Sequence, residues 1–205
     1  MREADIRPQS LITEYLRLAA SDALTYFAPA DKYNVVCPAC GTAGAVCFVK
    51  QHWQYERCPE CRTIFVNPRA DAEVFRRYYQ DSDSAKFFGS TFYPQTTTAR
   101  REQIWRPRAA WLRALRDAHL TWPMTLIDIG GGAGILIDEY ESLTDDACLI
   151  IEPNPGLAAL CQRQGIETLH CFLEDVTPAQ LPGGARCFTA FELVEHLPYP
   201  NIFLR

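Results

Sequence analysis

The sequence predicts an α/β fold: a parallel sheet with crossover helices, preceded by helices and a small cysteine-bearing β unit. Three observations predict it. From Met124 onward, short apolar runs alternate with helical stretches, the pattern of strands joined by crossover helices. The first of those runs leads into "LIDIGGGAG", Leu126–Gly134, with four glycines in five residues. Upstream stand two C-x-x-C pairs, "CPAC" at 37–40 and "CPEC" at 58–61.

The elements follow in order. Residues 8–28 read as an amphipathic helix, with Leu11, Tyr15, Leu18 and Ala19 at helical spacing and Pro8 near the start. "APADKYN" breaks that pattern, and a β-type segment over 33–68 closes on "NP". A short helix is expected over Asp71–Tyr79, with Val74, Phe75, Tyr78 and Tyr79 on its apolar side. "QDSDSAKFFGSTFYPQTTT" reads as an aromatic loop. A longer helix is expected from Thr98 to His119, bent or restarted by Pro107. Then come strand "TLIDI", a helix over about 134–142, strand "CLIIE", a helix over about 156–164, strand "IETLH" and strand "CFTAFEL". The division is thus 1–32 (N-terminal helix), 33–68 (cysteine unit), 69–123 (helical and aromatic bridge) and 124–205 (parallel sheet).

Composition narrows the classes. The chain has 205 residues, 48% hydrophobic and 22% charged, the balance of a soluble globular protein. Its net charge of -5 and the lack of a basic run weigh against a nucleic-acid partner. No apolar stretch reaches membrane-spanning length, and "MREADIRPQS" lacks the apolar core of a signal peptide. A cytoplasmic protein without a membrane partner is expected. Nine cysteines, four of them in tight pairs, fit a reducing compartment with metal-held thiolates better than a disulfide framework.

Cys37, Cys40, Cys58 and Cys61 supply the two pairs, with seventeen residues between them. Four thiolates bind zinc tetrahedrally, two from each tight turn. The intervening stretch alternates apolar residues and suits a hairpin. Gly41 stands where the first turn wants positive φ. Four protein ligands leave no open position, so such a zinc is structural. Two buried thiol pairs without metal are the alternative. Cys47 is expected in the core, and Cys148, Cys161, Cys171 and Cys187 as small buried hydrophobes.

The glycine loop after a strand places bare backbone where open parallel sheets bind ligands. A dinucleotide fingerprint counted from Gly130 needs its third small residue at Ile135, which is too large. The pattern acid-x-G-x-G-x-G fits Asp128, Gly130, Gly132 and Gly134 at every position. This resembles the first motif of class I S-adenosylmethionine (SAM)-dependent methyltransferases, which implies a Rossmann-like sheet and SAM as the methyl donor. The resemblance implies that Glu152, eighteen residues after Gly134, accepts hydrogen bonds from both ribose hydroxyls. In "HCFLEDV" it offers Glu174 or Asp175 for the adenine amino group. "FTAFELVEHLPYPNIF" is similar to the family's E-x-x-E-H-L…P stretch, here Glu192, Glu195, His196, Leu197 and Pro200. Phe191 and Glu192 would border the methyl-transfer site. His196 would be the general base, or Glu192, Glu195 and His196 would hold a divalent ion. A helix-start Glu and a packed His are the plain alternative.

The cysteine segment is similar to the zinc ribbon that precedes many bacterial methyltransferases of this kind, several acting on sugars or natural products. The match covers about Cys37–Tyr79 and Leu126–Phe203. Two departures stand out. Arg186 occupies a place where relatives often have Asp. The family's sheet has seven strands, whereas four are expected here, with the fourth an uncovered edge. That points to the N-terminal portion of a longer enzyme or a truncated chain. The expected function is methyl transfer from SAM to an oxygen or carbon of a small-molecule acceptor. A zinc-ribbon binding or regulatory module with a non-catalytic Rossmann half is the alternative. A nucleotide-dependent oxidoreductase is disfavoured by Ile135. Tyr78, Tyr79 and "KFFGSTFY" would line the acceptor or pack between units.

Overall fold

The computed structural model describes residues 3–204, so the outermost residues of the first and last expected segments lie outside the description. Helix α1 (Glu3–Ile6) precedes α2 (Gln9–Asp22), which starts after Pro8 and runs on through a π-type turn at Ala23–Phe27. Strand β1 (Lys32–Tyr33) opens the next segment and β5 (Arg69–Ala70) closes it by antiparallel pairing. Between them β2 (Ala45–Lys50), β3 (Trp53–Arg57) and β4 (Ile64–Val66) form an antiparallel sheet in that order. The β2–β3 hairpin turns through Gln51 and His52, both at positive φ, 49° and 70°, as a two-residue hairpin turn requires. Phe27 ties these pieces together, with ring centroids 4.9 Å from Trp53 and 5.0 Å from Phe75.

Cys47 was expected in the core, but it is exposed. A register shift between Val46 and Phe48 bulges β2 there, and all six residues of this edge strand face solvent.

Helix α3 (Ala72–Asp81) is capped by Asp71, whose carboxylate accepts from the Glu73 N–H at 3.2 Å. The stretch read as an aromatic loop is helical. It forms α4 (Asp83–Phe87), a π-type turn at Phe88–Phe92 and α5 (Tyr93–Arg100). Serines and threonines masked its periodicity. Phe88 and Phe92 stack four residues apart at 4.9 Å, and Thr96 continues the buried stripe by bonding the Phe92 carbonyl at 2.8 Å. A second π-type turn at Arg101–Trp105 leads without a break into α6 (Arg106–His119). The α-helical pattern resumes at Arg106 after that turn, with Pro107 at its start. There, in the first turn of α6, a missing N–H costs least.

The rest is a mixed α/β layer with β6 (Thr125–Ile129), α7 (Ile135–Glu141), β7 (Ala147–Ile151), α8 (Pro155–Arg163), β8 (Thr168–Leu169), β9 (Arg186–Thr189) and α9 (Pro200–Phe203). The sheet is wholly parallel, in the order β8-β7-β6-β9. Alternate residues serve two faces. Leu126, Cys148 and Ile150 pack against α6, α7 and α8. Ile127, Ile129, Leu149 and Ile151 face the other way, against Leu173, Val176, Leu193 and Phe203. Glu139 of α7 accepts from Arg101 at 2.7 Å and Arg106 at 2.8 Å, which fixes the long helix to the sheet layer. Strand β9 is an edge, with Phe188 exposed. The order reverses between β6 and β9, and the loops leaving those two strands diverge there. That is where doubly wound sheets open a crevice.

Candidate functional site

The four paired cysteines converge. Their sulfurs all lie within 4.8 Å of one another, with Cys40 3.4 Å from Cys58 and 3.5 Å from Cys61, and Cys37 3.5 Å from Cys61. Tetrahedral zinc–thiolate geometry sets sulfurs about 3.8 Å apart, so the group fits such an ion closely. The two knuckles are conformational twins. Cys37 N–H donates to Thr42 O, and Cys58 N–H to Thr63 O, each at 2.9 Å. Gly41 and Arg62 take the matching positive φ, 79° and 63°. Among the described residues this is the only group of three or more possible ligands that close.

At the end of β6 the chain turns through Gly130, Gly132 and Gly134, with φ of 70°, 60° and 75°. A side chain at these values is strained. At Gly134 it would also collide, since a Cβ would stand 2.7 Å from Ile166 Cδ1 and 3.1 Å from Cys161 Sγ. The Gly132 N–H donates to Glu152 Oε2 at 2.9 Å, and the Asn154 N–H donates to Glu152 Oε1 at 2.8 Å. Asp128, on β6, accepts from the Thr189 hydroxyl at 2.7 Å. Both acids are buried. Burial pushes the Asp128 carboxyl up to about 7 against the Thr189 bond. It does the same to Glu152, about 7, against its two backbone N–H donors and helped by the nearby Asp128.

Two cavities open on this loop. One, of about 360 Å³, lies beyond the carboxyl ends of β6 and β7 and is bordered by Tyr79, Gly130, Glu152, Phe172, Glu174 and Leu193. The other, of about 580 Å³, lies toward the N-terminal helices, bordered by Tyr93, Arg100, Trp105, Gly132, Glu152 and Phe191. Gly130, Glu152, Glu192 and His196 border both. Glu174 sits in an exposed 3-10 turn at Leu173–Asp175. Its neighbour Asp175 pairs with Arg76 of α3 at 2.6 Å, and that guanidinium covers the Phe172 ring at 4.4 Å.

The three residues expected to share one base or metal role are separated. Glu192 has φ 55°, a costly value for a side-chain-bearing residue. Its carboxylate accepts from Arg108 at 2.8 Å, and that bond holds it below its ordinary range against desolvation. His196 ends the 3-10 turn Val194–His196 and meets the Tyr79 ring edge-on at 6.3 Å. Glu195 borders a cavity of about 530 Å³ beside Trp53 and Phe65, which His196 also lines. The ligand atoms of Glu192, Glu195 and His196 do not come within 4.8 Å of one another as those of the four cysteines do, so the divalent-ion group expected of them is not assembled in this structure.

Several residues of the site escaped sequence reasoning. Arg100, Trp105 and Arg108 line the larger cavity from one helix. All three lie within the helix expected over Thr98–His119, but the π-type turn at Arg101–Trp105 breaks the helical period that would have placed them on one face. Cys161 donates to the Gly132 carbonyl at 3.2 Å, a contact with no signal in the sequence.

No family model matches the chain. No curated protein matches its sequence. Solved structures resemble it in part. The sugar N-methyltransferase KedS8 from Streptoalloteichus sp ATCC 53650 is 17% identical with a TM-score of 0.38, over 45% of this chain and 38% of that one. The plantazolicin methyltransferase BpumL in complex with S-adenosylhomocysteine (SAH) is 10% identical with a TM-score of 0.41, over 56% and 44%. The magnesium protoporphyrin IX methyltransferase ChlM from Synechocystis PCC 6803 with bound SAM is 15% identical with a TM-score of 0.41, over 64% and 66%. The matched part thus spans from under two fifths to about two thirds of these proteins. No helix among the described residues is long and apolar enough to cross a membrane.

Proposed function

We propose that the chain binds SAM at the glycine loop and transfers its methyl group to an oxygen or carbon of a small molecule. One observation carries the reading: the buried Glu152 carboxylate bonds to the Gly132 N–H at the carboxyl end of the sheet. A pyrophosphate is bound by free loop N–H groups at a helix N-terminus. Here Glu152 takes the Gly132 N–H, and Asp128 stands close by. An acid at this strand end can hold a ribose in a dinucleotide site as well as in a SAM site; the engaged Gly132 N–H and the large Ile135 at the third small position favour SAM.

The roles then follow from position. Glu152 holds the ribose hydroxyls and Glu174 or its backbone the adenine, in the cavity of about 360 Å³. Asp128 shapes the loop from below. Bound SAM supplies an electrophilic methyl on a sulfonium whose departing electron pair leaves a neutral thioether. Phe191 and Glu192 border the acceptor, and His196 takes the acceptor's proton. The chain's work is to align the two partners and exclude water. The cysteines at 37, 40, 58 and 61 hold a structural zinc within the 33–68 unit. Segments 1–32 and 69–123 supply cavity walls, and 124–205 carries the SAM-binding sheet. No nucleic-acid partner enters this reading.

Calorimetric titration with SAH tests it. Saturable binding is expected in the wild type, weakened about tenfold or more in Glu152→Ala, which loses two charge-assisted bonds. Absence of binding at millimolar SAH, with NAD binding in its place, overturns it.

A further inference from the structure

The cavity of about 580 Å³ is chemically lopsided. Among the described residues, Arg100 Nε, Trp105 Nε1 and Arg108 Nη1 are buried and have no hydrogen-bond partner. Arg100 has no ion-pair partner either, although its guanidinium lies 5.6 Å from the Phe92 ring centroid and 5.2 Å from that of Tyr93. Arg108 lies 5.0 Å from Trp105 and 4.8 Å from Phe191. Rings lie against each guanidinium, and Arg100 Nε and Arg108 Nη1 are left for a ligand. The π-type turn Arg101–Trp105 separates the two arginines and brings both to this one cavity. The acids on the wall are already engaged: Asp128 with Thr189, Glu152 with two backbone N–H groups, and Glu192 with Arg108 Nη2. The fully buried side-chain atoms without a partner, among the described residues, are thus all donors. The remaining wall carries Arg7, Tyr15 and His196 beside apolar members such as Ile12, Leu16, Phe88 and Leu157.

We propose that this cavity takes an acceptor bearing a carboxylate, held by Arg100 with Trp105 and Arg108 as further donors, its apolar body lying along Phe88 and Phe92. Calling the occupant an acceptor rests on the methyl-transfer reading above. A planar carboxylate matches the guanidinium fork in two parallel bonds. Tyr93 carries the geometry to the chemistry, since its hydroxyl would stand 3.3 Å from a Cβ at Gly132 while its ring carries Arg100. An acid anchored at Arg100 therefore lies one ring away from the loop that holds the methyl donor.

The test compares benzoate with its neutral isostere benzamide, by ligand-observed NMR on the full chain saturated with SAH. Benzoate is expected to bind at least about tenfold more tightly. Arg100→Gln should bring the two within about twofold, and Arg100→Lys, which keeps the charge without the fork, should retain part of the preference. SAH affinity, measured in the same variants, should stay at the wild-type value and so report on folding. Equal binding of the two probes by the wild type overturns the proposal, as does a preference that survives Arg100→Gln. A parallel loss of SAH affinity in Arg100→Gln also overturns it, by assigning the guanidinium to the nucleoside's own amino-acid carboxylate. A chain that prefers benzoate but ignores SAH keeps the acid site and overturns the methyl-transfer reading instead.

Discussion

Glu152 stands between water-free burial and the loop N–H groups, and its carboxyl is pushed up to about 7, as is that of Asp128. The sign of the consequence is fixed by linkage. An acid raised in the folded state holds a proton that the unfolded chain has already released. Its contribution to stability is therefore full below the unfolded value, near 4.5 for Glu152 and 3.8 for Asp128, and is lost as pH rises through about 7. The ligand-free protein should have a falling denaturant midpoint between pH 5 and pH 8, and Glu152→Gln should flatten part of that fall. A profile unchanged by the substitution refutes the assignment. SAH affinity should move the other way, rising from pH 6 to pH 8 as the ionised carboxylate becomes available to the ribose. Gly134 gives a stability prediction. Gly134→Ala forces a side chain into positive φ and against Ile166 and Cys161, and should cost about 2–4 kcal/mol by chemical denaturation. A loss within error of zero contradicts the packing described. The closeness of Gly132 and Glu152 was legible in the sequence, because each follows the end of one of two neighbouring parallel strands. The pairing of Glu192 with Arg108 was not, since it joins residues 84 apart through a side-chain rotamer.

At the scale of elements, the cysteine knuckles and the parallel strands carry strong local signals: two short repeated turns, and apolar runs closed by glycine or an acid. The hairpin between the knuckles was legible for the same reason. The exposure of Cys47 was not, because β2 is an edge strand whose six residues are all uncovered. The helix from Asp83 to His119 was read as a loop and a shorter helix. Its π-type turns break the 3.6-residue period that a sequence reader follows. For the knuckles, mass spectrometry under native conditions should find one zinc per chain. Cys40→Ser should abolish it, and chelation should shift the Trp53 environment toward water. Nine freely titrating thiols in the untreated protein contradict a metal centre.

At the scale of the molecule, the walls of both cavities come from distant parts of the chain. Arg76 reaches Asp175 across 99 positions, Arg69 donates to the Pro198 carbonyl at 2.6 Å across 129, and the Tyr33 and Tyr199 hydroxyls meet at 2.5 Å across 166. No local pattern encodes such contacts, which is why the sheet was legible and its lid was not. Arg76 ties α3 to the turn beside the cavity of about 360 Å³, while α5 and α6 line the cavity of about 580 Å³, so that one loop borders both. The central claim is that this loop and Glu152 grip a sulfonium nucleoside. A crystal of the chain soaked with SAH tests it most directly. Both ribose hydroxyls are expected within about 2.5–3.0 Å of the Glu152 carboxylate oxygens, with the thioether sulfur beside Gly130. Electron density for SAH elsewhere, with Glu152 still touching only Gly132 and Asn154, contradicts it.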